Sequence, residues 1–150
     1  MATIKERLSV QMKSTMKSGD KETLSFVRNL HAQIRQKEID DRIDLDDAAV
    51  LKIIGSSLKQ RKDSLEQFTA GGREDLAVRE RSEIAFLMSY MPEQMGEDEI
   101  RKVVDLAIAE VKASSIKDLG NVMKTLMPMT QGKADGKLVS QIVKERLGGA

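Results

Sequence analysis

The sequence predicts an all-α fold. Apolar residues recur at intervals of three and four along most of the chain. No segment sustains the apolar/polar alternation of a half-buried strand. Thr, Asp or Ser stands where most of the apolar-periodic runs begin, as helix starts require. The runs fall into two sets, which predicts an N-terminal group of about four helices over residues 1–92 and a smaller C-terminal three-helix unit over 97–150. No internal repeat and no low-complexity tract interrupts them.

The first helix is expected over Thr3 to Ser18, with Thr3 and Glu6 spaced as a capping box and Ile4, Leu8, Met12 and Met16 forming one stripe. Gly19 suits a left-handed terminator. Asp20 caps a second helix running to about Asp40, whose buried stripe is Leu24, Val27, Leu30 and Ile34 and whose second half, Gln33 to Glu38, is polar. A third and longest helix spans Leu45 to Thr69, capped by Asp46, with Leu45 stapled to Val50 and with Val50, Ile54, Leu58, Leu65 and Phe68 in phase. Gly55 within it costs about 1 kcal/mol relative to Ala, the usual mark of close packing or of a flexible point. Gly71-Gly72 ends this helix, and a fourth runs from Arg73 to Tyr90 with Leu76, Ile84, Leu87 and Met88 inward, stopped by Pro92.

Met91 to Gly96 reads as a linker. Beyond it, Glu97 to Lys112 has the clearest amphipathic pattern, with Ile100, Val103, Val104, Ala107, Ile108 and Val111 on one face and three acids in the first turn. Ser115 and Asp118 form a capping-box-like start to a short helix carrying Leu119, Val122, Met123 and Leu126, which Pro128 closes. Asp135 caps the last helix, where Leu138, Val139, Ile142, Val143 and Leu147 point inward before Gly148-Gly149-Ala150 frays.

With 150 residues, the chain has the size of one domain or two small ones. It has no Trp and few aromatics, so its core is built from Leu, Ile, Val, Ala and nine methionines. The methionines fall mostly at core positions and act as packing residues. A net charge of +1 points to no bulk attraction for polyanions, so any basic site is local. The absence of cysteine excludes disulfides, thiolate metal sites and a thiol nucleophile. The charged N-terminus is not a signal peptide, and no apolar run approaches the ~20 residues of a membrane span. A soluble cytoplasmic protein with no membrane partner is expected.

Catalytic signatures are sparse. His31 is the one histidine and has no ligand partner four residues on, so it reads as a boundary residue without a role. No Gly-x-Ser-x-Gly elbow is present, and Gly132-Lys133 lacks the rest of a Walker loop. The acidic clusters at Asp40-Asp41, Asp44, Asp46-Asp47 and Glu97 to Glu99 coincide with turns and helix starts, where carboxylates are favoured. No catalytic, cofactor or metal residues are assigned. Lys59-Gln60-Arg61-Lys62 reads as a solvated helix face beside Asp63 and Glu66, with a phosphate contact as the other reading.

The C-terminal stretch is less generic. Lys117 to Arg146 holds six basic residues against Asp118, Asp135 and Glu145. Within it, Gly132-Lys133-Ala134-Asp135-Gly136-Lys137 leads into a helix start. Glycines, ammoniums and helix N–H groups together suit a phosphate-backbone contact; ordinary surface lysines are the alternative. The candidate nucleic-acid-binding residues are Lys124, Gly132, Lys133, Gly136 and Lys137.

These residues carry a family resemblance. The ordered set Leu24 to Ile39, Leu58 to Ser64, Phe68, Gly72 to Ala77, Glu83-Ile84, Leu87 to Gln94, Gly120 to Lys124 and Gly132 to Val139 resembles the GatB/YqeY family, in its stand-alone YqeY form, over essentially the full length. The resemblance implies a two-part helical structure. In GatB, the larger relative, such a domain is the C-terminal tail of the tRNA-dependent amidotransferase. It helps hold the tRNA while a separate body carries the chemistry. None of the 150 residues is left over for that body.

The resemblance therefore implies a tRNA-binding accessory module. Amidotransferase components or an aminoacyl-tRNA synthetase are further partners it suggests. A component of amide transfer, a carbon–nitrogen ligase with glutamine as donor, is the alternative it carries, although no catalytic site is visible. A protein–protein adaptor using the polar faces of the long helices is the third.

Overall fold

The computed structural model describes residues 2–148. Among these, seven α-helices and one 3-10 turn account for the secondary structure, with no strand. They are α1 (Ile4–Ser18), α2 (Lys21–Asp41), α3 (Asp47–Ala70), α4 (Glu74–Met88), α5 (Glu97–Val111), the 3-10 turn Ile116–Asp118, α6 (Leu119–Thr130) and α7 (Gly136–Gly148). Two compact units divide the chain between Met91 and Pro92.

Side chains start most helices as the spacing demands. Thr3 and Glu6 exchange both bonds of a capping box, and Ser115 and Asp118 form a second one. Asp20 accepts from the Thr23 N–H and Asp46 from that of Ala49. Each of these satisfies donors that the first turn would otherwise leave free.

In the first unit α1 pairs with α2, and α3 packs along α4. The core joins Ile4 and Leu8 to Phe26, Val27, Leu30, Ile34, Leu45, Val50, Ile54, Leu58, Phe86, Leu87 and Tyr90. The α1 stripe departs from the sequence expectation at its end: Met16 is exposed and Thr15 buried. Four-residue spacing advances about 40° per step, so after three steps Met16 has turned about 120° away from Ile4, whereas Thr15 returns to within about 20°. Gly55 is not a point of close packing, because a Cβ there would meet nothing within 4 Å. Arg42 ends α2 in the left-handed region at φ 55°.

Two acids in this unit are buried. Glu38, placed by the sequence in a polar half-helix, is 8% exposed. It accepts from Lys5 Nζ at 2.7 Å and from the Leu45 N–H at 2.9 Å, joining α2 to α1 and to the turn before α3. The Lys5 ammonium, and then the Leu45 amide, hold its carboxyl down at about 2. Glu80 of α4 pairs with Arg61 of α3 at 3.1 Å. The Lys59–Lys62 cluster is therefore split, with Arg61 turned to its partner helix and Lys59 and Lys62 exposed.

In the second unit α5 packs against both α6 and α7. Its core is Ile100, Val104 and Ala107 from α5, Val122 and Leu126 from α6, and Val139, Ile142 and Val143 from α7. Two ion pairs, Arg101–Glu145 at 3.6 Å and Arg146–Asp105 at 3.3 Å, run between α5 and α7 along its edge.

Pro128 does not close α6, which continues to Thr130. The missing proline N–H would have bonded the Lys124 carbonyl four residues back, and Lys124 and Pro128 both lie on the exposed face, where water can serve that oxygen. Buried Thr130 donates its hydroxyl to the Leu126 carbonyl at 3.1 Å and seals the last turn from the other side. Gly148 is the last residue of α7 rather than part of a frayed tail; Gly149 and Ala150 lie outside the described residues.

Candidate nucleic-acid interface

The candidate loop is shorter than its sequence suggests. Because α6 runs to Thr130 and α7 begins at Gly136, only residues 131–135 lie between them. Gly132 sits in this loop at φ +77°, a conformation that non-glycine residues rarely adopt. A Cβ there would approach Pro92 Cγ only to an ordinary 3.9 Å, so the backbone angle, not crowding, requires the glycine. Gly136 is instead the first residue of α7, and its absent side chain would meet nothing within 4 Å. The fold itself makes no demand for glycine at that position.

The loop's main chain is largely consumed within the protein. The Lys133 and Ala134 N–H groups both donate to the Thr130 carbonyl, at 2.9 and 3.0 Å. The Lys133 carbonyl accepts from the Met95 N–H at 2.8 Å, and the Gly132 carbonyl from Gln94 Nε2 at 3.0 Å. Gln94 also donates to the Pro92 carbonyl at 2.8 Å. The segment read from sequence as a linker, Pro92 to Gly96, is thus the brace of this loop, and Met95 packs on the core of the second unit.

Asp135 is the N-cap of α7: its carboxylate accepts from the Lys137 N–H at 3.0 Å and its carbonyl from the Val139 N–H at 3.0 Å. The helix start therefore already holds an anion of its own, and the expectation of free N–H groups facing a ligand is corrected to that extent.

What projects outward is the lysines. Lys124 on α6, Lys133 in the loop and Lys137 in the first turn of α7 are all exposed. None of them, nor Lys117 or Lys144, forms an ion pair among the described residues, while the carboxylates of the segment are engaged elsewhere. Asp118 accepts from the Ser114 and Ser115 N–H groups, Asp135 caps α7, and Glu145 faces Arg101. Lys124 shares its helix face with Gly120, Asn121 and the exposed Met127 and Pro128. The sequence reading missed Gln94 and Met95, which position the loop; the one signal, for Gln94 alone, was its place at the end of the family-like run Leu87 to Gln94.

Among the described residues, no group of three or more His, Cys, Asp or Glu side chains could hold a metal ion. No helix among the described residues is long and apolar enough to cross a membrane. His31 is exposed on α2.

Together these features define a two-unit, all-helical protein whose C-terminal unit presents lysines on and around a braced loop. The chain belongs to the Yqey-like protein family, whose pattern it matches over residues 5–147. It is 29% identical over 145 residues to a protein of Pyrenophora tritici-repentis named altered inheritance of mitochondria protein 41, mitochondrial, a match that covers 95% of this chain and 80% of that one. A protein of the same name from Lachancea thermotolerans is 34% identical over 111 residues, covering 72% of this chain and 59% of that one. An uncharacterized protein of Schizosaccharomyces pombe is 32% identical over 79 residues, covering 53% of this chain and 64% of that one. These names place two of the relatives in mitochondria and specify neither a ligand nor a reaction.

Proposed function

We propose that this chain is a tRNA-binding accessory module that contacts the phosphate backbone through its C-terminal unit. The carrying observation is the set of exposed lysines without an ion pair among the described residues, Lys124 on α6, Lys133 in the loop and Lys137 at the start of α7, around a loop whose backbone is fixed by Gln94 and Met95. A rigid loop bearing mobile ammoniums suits contacts that position a polyanion without reading its sequence. Gly136, which the fold does not require, adds no side chain beside the Asp135 cap at the start of α7, so Lys137 is not crowded there. Association with amidotransferase components or an aminoacyl-tRNA synthetase, and residence in the cytoplasm, belong to the same proposal. Membership of the Yqey-like family supports it through the family's likeness to the amidotransferase tail. That likeness is also all that favours a direct part in amide transfer.

The test is a titration of tRNA against the wild type and K124A/K133A/K137A at several salt concentrations. Each lost phosphate contact removes about 0.7–0.9 from the slope of log K against log salt, so the triple variant has a slope shallower by about 2–3. Its melting temperature stays close to wild type, because exposed lysines contribute little to stability. Equal binding by the two proteins overturns the proposal and favours the adaptor.

A further inference from the structure

Helix α2 carries a cation at every seventh position: Lys21, Arg28, Arg35 and, at the C-cap, Arg42. Seven residues are close to two helical turns, so Lys21, Arg28 and Arg35 follow one another about 10.5 Å apart along a strip that drifts only about 20° per step, and Arg42 stands at its end, where the left-handed C-cap breaks the repeat. All four are exposed, as is His31 between them. Arg35 reaches Glu38 at 3.5 Å, while Lys21, Arg28 and Arg42 form no ion pair among the described residues.

The strip holds no exposed carboxylate. Around the helix from Arg28, Glu22 and Asp40 lie about 120° away on one side and Asp41 about 140° on the other. The nearest acids, Glu38 and the N-cap Asp20, lie about 80° away; Glu38 is buried and bound by Lys5 and the Leu45 N–H, and Asp20 is exposed and caps the helix by accepting from the Thr23 N–H. The remaining residues of the strip, Ser25, Ala32 and Ile39, are neutral. The apolar face of α2 is fully spent on the core through Phe26, Val27, Leu30 and Ile34, so burying that face cannot be the purpose of the cationic edge.

We propose that this edge of α2 is a second nucleic-acid surface, one that lies along the phosphate backbone of a double-helical RNA stem. The choice of RNA over DNA rests on the proposed function; the surface itself belongs to the other unit and uses none of the C-terminal lysines. A 21-residue helix gives a straight run of about 31 Å, which suits a stiff duplex. Single-stranded RNA is bound by stacking its bases on exposed aromatic rings. Such a platform of several rings is not built here, since Phe26, Phe86 and Tyr90 are buried, Phe68 is half-buried and the one exposed ring on the strip is the His31 imidazole. Three of the four cations are arginines, whose planar forks grip phosphate oxygens two at a time.

The experiment compares the full chain with R28Q/R35Q/R42Q, with K52Q/K59Q/K62Q on the exposed face of α3 as an equal loss of charge elsewhere, and with K124A/K133A/K137A. The probes are a short RNA duplex, a DNA duplex of the same sequence, single-stranded RNA, an acidic polypeptide and vesicles of anionic lipid. The wild type is expected to bind the RNA duplex best. The arginine variant should lose about tenfold or more in affinity and about 2–3 in salt slope, with the α3 variant much less affected. Unchanged melting temperatures show that each variant folds.

The proposal is overturned if the α3 variant loses as much as the arginine variant, which would make the effect bulk charge. It is also overturned if the DNA duplex, single strand, polypeptide or vesicles bind as well as the RNA duplex, or if only the C-terminal lysine variant loses duplex binding. That last outcome would leave the tRNA reading of the C-terminal loop standing, whereas loss in the arginine variant alone would do the reverse.

Discussion

Replacing Arg61 by Met isolates the cost of burying Glu80. Arg61 Nη1 lies 3.1 Å from Glu80 Oε1, with side-chain exposures of 30% and 11%, and Glu80 Oε2 is buried with no hydrogen-bond partner. Removing one member of a fully buried pair costs about 3–5 kcal/mol, because the survivor keeps its charge out of water without compensation. Arg61 is about one third open to solvent, which screens part of that interaction, so the expected loss is about 2–3 kcal/mol. Met keeps the stem's packing between α3 and α4 and confines the change to the charge. The reverse substitution, E80M, should cost only about 1 kcal/mol, since the half-exposed guanidinium can turn to water. The double variant should lie within about 1 kcal/mol of wild type, for a coupling of about 3 kcal/mol.

The sequence supplies a selective reporter. The single Tyr and all three Phe residues lie before Met91, and Tyr90 is 4% exposed, so aromatic signals follow the first unit alone. With a urea m-value of about 1 kcal/mol/M for a unit this size, R61M should lower the midpoint by about 2–3 M at unchanged m. Acid should soften the effect. Burial raises the Glu83 carboxyl above its ordinary range, while neighbouring Arg61 draws it back down. A raised carboxyl binds its proton more tightly in the folded state, so it weakens stability as pH climbs from 4.5 through the raised value. Without Arg61 that penalty grows, so the R61M deficit should be larger at pH 7 than at about pH 5. A loss below about 0.5 kcal/mol, or a double variant as unstable as R61M, would refute the charge-burial argument.

Two further variants test the remaining contacts. Glu38 is held at about 2, chiefly by Lys5 and then by the Leu45 N–H, so the stability it contributes is complete above 4.5 and is lost as pH falls toward 2. E38Q should therefore lower the melting temperature at pH 7 and flatten its fall between about pH 4.5 and 2.5, followed by the tyrosine signal. Q94A removes the bond from Gln94 Nε2 to the Gly132 carbonyl, at about 1 kcal/mol. Hydrogen exchange at the Met95 amide should speed about fivefold, with the α5 interior unchanged.

Much of the fold was legible because its signals are local. Asp20, Asp46 and Asp135 each cap the helix that their spacing announces, and the α5 periodicity maps directly onto the second core. Apart from Met16, which a strict helical period would have turned outward, the misreadings come from contacts or exposures that leave no short-range trace. Nothing adjacent to Glu38 reveals that Lys5, 33 positions away, will neutralise it in the core. Pro128 reads as a terminator because a sequence does not show which face of the helix it occupies. Pro92 to Gly96 looks like a linker because its partner carbonyls, at Gly132 and Lys133, lie about forty residues downstream.

The bracing also separates two ways of meeting a phosphate. A glycine-rich turn before a helix binds anions when its amides point outward. Here the Lys133 and Ala134 amides are turned inward to Thr130, and Asp135 places a carboxylate over the start of α7. A phosphate drawn to that terminus would meet a like charge first. The C-terminal loop can therefore attract a polyanion through ammoniums on flexible stems, which reach past Asp135 as hydrated point charges and impose little geometry. The edge of α2 differs in kind. Arg28 and Arg35 are carried at a repeat set by the helix itself, with no exposed acid between them. On the readings proposed above, diffuse attraction would belong to the second unit and register along a stiff duplex to the first.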